Sequence, residues 1–341
     1  MNIDKLEPDD PRVSRETTLI RNRTYSYILS TPETEPIATI LLLHGFPDLA
    51  FGWRYQIPFL TDLGYQVVAP DMLGFGRTTV PDQPGCYALR AVSEDMRELA
   101  KVVTEDQKII LGGHGMGGNV AWRVALWCPE LVQGVFSISS PFLPPSKAFR
   151  TLDDVTKVGE LRCLRYQLKL KDPEVEEEIQ DEGKTRQFLN AMYGRLGPHN
   201  EVGFTAGDGV LLDRLPVLNI SHLVSNKELD HYVAEYARCA HSSLRGPLNW
   251  YRTRTHNYLD ELRLLRHPIK FSMPTLFLSA TKDDINLPTL TKQMDQYFDD
   301  LDHGEVQAGH WAHWESPLEV NQQIAQWLEK VVEYNDVERD S

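Results

Sequence analysis

The sequence predicts an α/β fold, a mostly parallel twisted sheet flanked by helices with an all-helical insert. Three observations lead there. Short, continuously apolar runs at residues 37–43 and 108–111 read as strands buried on both faces, the pattern of a parallel sheet. They alternate with stretches of helical periodicity at 92–104 and 119–127. From Pro141 the alternation stops, and charged helical segments run to about Arg245 before strand character returns at 274–280.

In chain order, residues 13–20 and 24–29 are β-rich and flank Arg21-Asn22-Arg23, which predicts an edge hairpin. The 37–43 run ends in His44-Gly45-Phe46-Pro47-Asp48, with Trp53 just beyond. Residues 64–77 form a second buried strand that enters a glycine-punctuated turn, with Asp71 at its end read as scaffold. The 108–111 strand is stopped by Gly112 and Gly113 and passes through Gly113-His114-Gly115-Met116-Gly117 into a helix. This strand, sharp turn and helix organise the chain. The bare pattern Gly-x-Gly-x-x-Gly is also matched here, but not in a first βαβ unit with an acidic residue suitably downstream of a second strand.

Residues 132–139 read as the next strand, and proline-rich 140–145 marks a boundary. The predicted units are 1–140 as the first part of the core, 141–247 as a helical cap and 248–341 as the second part of the core. The acidic run at 171–178 reads as a solvated first turn with proline near the helix start. Residues 304–307 are the last strand, leading to Ala308-Gly309-His310-Trp311, and 317–332 close the chain as an amphipathic helix.

At 341 residues the chain has room for one large core plus a smaller inserted domain. A net charge of −14 argues against nucleic acid and anionic membranes as partners, leaving a neutral or hydrophobic small molecule. Cys86, Cys128, Cys163 and Cys239 lack Cys-x-x-Cys or metal-like spacing, which predicts free thiols in a reducing compartment. The acidic N-terminus has no secretory pattern, no apolar run is long enough to span a bilayer, and a cytoplasmic location is the expectation. The sequence leaves a homodimer open.

Several segments, in the right order from about residue 17 to about 332, together resemble the epoxide hydrolases of the α/β-hydrolase superfamily, the soluble type in particular. They are His44-Gly45-Phe46-Pro47, the turn around Gly115, Arg165-Tyr166-Gln167-Leu168, Leu248-Asn249-Trp250-Tyr251-Arg252, Lys282-Asp283 and Gly309-His310-Trp311. The resemblance implies an α/β-hydrolase fold with an inserted cap. It makes the N–H groups of Phe46 and Met116 the oxyanion hole, Tyr166 and Tyr251 the donors to the epoxide oxygen, and His310 the base oriented by an acid. That acid is Asp283 by the Lys-Asp match, with neighbouring Asp284 as rival. Trp53, His114, Trp250 and Trp311 are expected around the substrate pocket. Two phenols suit the task because a strained ether oxygen leaves well only when hydrogen-bonded as charge develops, and phenols supply this from a dry pocket without carrying charge.

The family's nucleophile is an aspartate at the centre of the elbow, where glycines on either side permit the tight turn. Here that position is Gly115, which cannot form an ester with substrate, and His114 cannot replace it because the turn aims its side chain elsewhere. Three readings follow: direct epoxide opening by His310-activated water or an internal hydroxyl, giving hydrolysis, cyclisation or isomerisation; a hydrolase disabled at its nucleophile; and a non-catalytic binder of small molecules. Other hydrolase or lyase chemistry on the same His/Asp base, such as lactone hydrolysis, is a further alternative. No metal or organic cofactor is expected, since His310 and His313 have no companion ligands at suitable spacing.

Overall fold

A computed structural model describes residues 3–157, 159–238, 244–285, 291 and 294–340. Its strands are β1 (Ser14–Ile20), β2 (Arg23–Ser30), β3 (Thr39–Leu43), β4 (Gln66–Pro70), β5 (Ile109–His114), β6 (Val132–Ile138), β7 (Phe204–Thr205), β8 (Gly209–Val210), β9 (Thr275–Ala280) and β10 (Leu301–Val306). Eight of them form one sheet in the order β1-β2-β4-β3-β5-β6-β9-β10. β1 pairs antiparallel with β2, and β2 with β4; every other pairing is parallel. The predicted edge hairpin is present. Arg21 and Asn22 turn it with φ of 49° and 65°, the left-handed pair that matches strand twist in a two-residue loop.

The centre of the sheet explains where the site lies. β3 and β5 are buried at every residue, which their apolar runs require. β3 pairs with β4 on one side and β5 on the other, so the chain leaves β3 in one direction and returns on the opposite one. Connections that diverge this way open a crevice at the carboxyl ends of the strands. The loops after β3, β5, β9 and β10 all emerge at that edge, because these strands run parallel.

Among the described residues between β6 and β9 the regular elements are helices, apart from the small β7–β8 ribbon, two residues a side. Asp172 caps Pro173–Glu178 by accepting from the Glu174 amide, and proline takes the first helical position, so the acidic run starts a helix as its composition predicts. The helix Arg245–Asn249 continues into the single turn Trp250–Arg252 that carries Tyr251, running across the predicted boundary at 247. The closing helix, Pro317–Asp340, outruns its expected end at 332.

Helix Asn226–Ala237 fastens this segment to the sheet through three side chains on one face. Glu228 pairs with the buried Arg54 at 3.0 Å, the Tyr232 hydroxyl donates to Asp48 at 2.7 Å, and Glu235 pairs with Arg77 at 2.8 Å. Cys86 and Cys128 are free thiols, and Cys239 lies outside the described residues. Among the described residues no helix is long and apolar enough to cross a membrane.

Candidate active site

β5 ends at His114 and the helix Met116–Trp127 begins two residues later. The whole reversal falls on Gly115, with φ 54° and ψ −120°, a left-handed conformation that costs glycine little and other residues more. The helix can start this close to β3 because Gly117 has no side chain: a Cβ there would lie 2.0 Å from the Leu43 carbonyl oxygen. At Gly115 the situation differs. A Cβ would meet only His310, with Nε2 at 3.4 Å and Cε1 at 3.7 Å.

His310 follows β10 and its Nδ1 lies 2.8 Å from Asp283 Oδ2, in the loop after β9. Asp283 is buried, and its other oxygen accepts the Ile285 amide at 2.8 Å. With the proton on Nδ1 held by Asp283, the lone pair of His310 sits on Nε2 and faces Gly115. Burial alone would push the His310 pKa down; the charge and hydrogen bond of Asp283 overcome it and leave the imidazole above its ordinary value. Asp284 is exposed, and no hydrogen bond among the described residues joins it to His310.

Tyr166 and Tyr251 come together from separate helical turns, their ring centroids 6.2 Å apart and nearly perpendicular. Desolvation pushes the Tyr166 hydroxyl up to about 12 and Tyr251 well above the usual phenol value, so both stay protonated. Tyr251 also packs edge-on against Phe46 at 5.2 Å. The amides of Phe46 and Met116 have no protein acceptor among the described residues. All of these residues line one cavity of about 1010 Å³, together with Gly115, His310, Trp250 and Trp311. That is at the upper end for small-molecule sites and large enough for a drug-sized molecule.

Residues 40–323 match the alpha/beta hydrolase family. Epoxide hydrolase srdG of Neurospora crassa is 38% identical over 345 residues, spanning 97% of this chain and 99% of that protein. Bifunctional epoxide hydrolase 2 of Mus musculus is 31% identical over 304 residues and 86% of this chain, which spans about half (52%) of that longer protein. Among solved structures, epoxide hydrolase A from Mycobacterium thermoresistibile superposes with a TM-score of 0.77 at 28% identity, covering 93% of this chain and 98% of that one. The chain belongs to the epoxide hydrolases of the α/β-hydrolase family.

In this epoxide hydrolase homologue two residues expected at the pocket lie elsewhere. Trp53 ends a fully buried 3-10 turn and packs on His313 at 5.1 Å, inside the core rather than on the cavity wall. His114, the last residue of β5, points beneath the site, and its Nε2–H donates to the backbone oxygen of His310 at 2.8 Å. Trp250 and Trp311 do line the cavity, each with its indole N–H tied back, to Leu73 O at 2.9 Å and Met192 O at 3.1 Å. His44 braces its loop, donating from Nδ1 to Gly45 O at 2.7 Å and accepting the Met72 amide at 2.9 Å. Asp71 is held by Arg15 at 2.7 Å and by the Ala50 amide at 3.0 Å.

Sequence reasoning missed a buried polar cluster under the loop that carries His310. Asp48, His114 and His313 each offer a ligand atom within 4.8 Å of the others, a set that could hold a metal ion. His310 is not part of it. Asp48 is a carboxylate whose pKa burial raises, and burial drives both histidines well below their ordinary value. The three come from distant points of the chain, and no local signal announces their convergence.

Proposed function

We propose that this chain opens lipophilic epoxides in one step, with no covalent intermediate. Nε2 of His310 takes a proton from water, or from a hydroxyl of the substrate itself, and the freed oxygen attacks an epoxide carbon. The carbon–oxygen bond of the ring breaks, its electron pair goes to the epoxide oxygen, and one of Tyr166 and Tyr251 gives that oxygen its proton while the other hydrogen-bonds to it. The proton on His310 then returns through solvent to the tyrosinate. Water as nucleophile gives a diol; an internal hydroxyl gives a cyclic ether. The amides of Phe46 and Met116 steady the attacking oxygen as it becomes hydroxide-like. General acid–base help of this kind is worth about 10²–10⁴-fold, and proximity adds to it, which suffices for a strained ring. The helical segment after β6 acts as the cap that carries the phenols, and the route needs no metal or organic cofactor.

The observation that supports this most is the position of Gly115. The space a carboxylate side chain would take opens onto His310 Nε2, 3.4 Å from the Cβ position. The base therefore faces room for a nucleophile that the chain does not itself carry. The same geometry favours a second reading, that the chain is a disabled two-step hydrolase, because an aspartate would fit there. Turnover of an epoxide panel by this chain beside Gly115→Asp separates the two. Product from the chain as it stands supports direct opening; product from Gly115→Asp alone overturns it.

A further inference from the structure

The cavity has a second polar end. Arg150 and Arg254, both solvent-exposed, line it, and Arg254 Nε donates to the backbone oxygen of Arg150 at 2.7 Å, which ties the two segments together. Among the described residues neither guanidinium is in an ion pair, whereas Arg123 and Arg252 of the same wall are neutralised by Glu261 at 2.7 Å and Glu176 at 2.9 Å. Arg195 and Lys282 line the same cavity and are likewise in no ion pair among the described residues; Arg150 and Arg254 differ in being tied to each other, through the Arg150 backbone oxygen. Burial, with the like charge of Arg150 added to it, pushes the Arg254 pKa down, and Glu261 offsets this in part.

Position relates this end to the reacting one. Arg254 follows Tyr251 by three residues, at the start of the helix Arg254–Glu261 that succeeds the turn Trp250–Arg252, and both side chains line the one cavity. Phe149 and Tyr258, with ring centroids 5.2 Å apart, line the same cavity and supply an aromatic wall.

We propose that Arg150 and Arg254 form a carboxylate-binding end of the substrate cavity, so that the epoxide this chain takes has a flat apolar body ending in a carboxylate. Guanidinium forks match a carboxylate in shape as well as charge, and such charge-assisted bonds are roughly twice as strong as neutral ones. The epoxide in this statement rests on the function proposed above; the anion end does not.

The test uses unreactive probes first. 4-Ethylbenzoate and 4-ethylbenzamide have the same shape and differ in charge, and their binding is measured by calorimetry. The account expects the benzoate to bind roughly 10-fold or more tightly than the amide, with the preference falling in Arg150→Met, in Arg254→Met and at high salt. Arg97→Met removes a surface arginine paired with Glu98 at 3.0 Å and should leave the preference intact. Equal binding of the two probes, or a preference that survives loss of both arginines, overturns the proposal. Turnover of 4-oxiranylbenzoate and its methyl ester then separates the two readings. An arginine-dependent benzoate preference with neither epoxide opened leaves the anion end standing and removes the epoxide chemistry. Both epoxides opened at equal efficiency removes the anion end alone.

Discussion

Gly115 decides the chemistry, and its environment permits a direct trial. Gly115→Asp places a side chain in a left-handed conformation, at a cost of about 1–2 kcal/mol that urea denaturation should register. It should also restore an ester route: with His310→Gln added to block the second step, incubation with epoxide should give a protein heavier by one substrate in denaturing mass spectrometry. His310→Gln alone should lower turnover of the unaltered chain by about 10²–10⁴-fold. The pH profile has a definite sign. The base works when neutral and its pKa is raised, so the acid limb of kcat/KM should lie above the ordinary imidazole value of 6.5 and move down in Asp283→Asn. Both tyrosines are held protonated, so no alkaline limb should appear where an ordinary phenol ionises, near 10.0. The residues of this reading were legible because each sits in a short motif. Trp53 and His114 were misplaced because their orientation depends on His313 and His310, far along the chain.

Among the elements, helix Asn226–Ala237 joins the helical segment to the sheet, and its Tyr232 hydroxyl gives Asp48 a donor inside the core. Tyr232→Phe leaves that buried carboxylate with one donor fewer, a loss of about 1–3 kcal/mol. Urea denaturation should show it as a lower midpoint at unchanged slope. The elements themselves read well from sequence where one face is buried: the apolar runs of β3 and β5 and the period of the helices announce them. The β7–β8 ribbon escaped notice because two residues a side carry no periodicity. The contacts of Glu228, Tyr232 and Glu235 escaped for another reason, since their partners Arg54, Asp48 and Arg77 lie in loops of the sheet.

At the scale of the molecule, a parallel sheet whose connections diverge from β3 opens one crevice, and the helical segment brings its tyrosines over it. Alternation of strands and helices made that architecture readable; the size and polarity of the cavity depend on long-range packing and were not. A cavity of about 1010 Å³ should prefer bulky substrates. Each added buried methylene is worth about 0.8 kcal/mol, so kcat/KM should climb severalfold per carbon from small alkyl epoxides to diaryl ones until the cavity is filled. The central claim is that no protein atom becomes bonded to substrate. A single turnover with enzyme in excess, run in ¹⁸O-labelled water, tests it most directly. Direct attack predicts a first-turnover diol carrying ¹⁸O from solvent, or a cyclised product of unchanged mass where the substrate supplies its own hydroxyl. A first-turnover diol without the label would mean that a protein carboxylate delivered the oxygen, and would contradict the account.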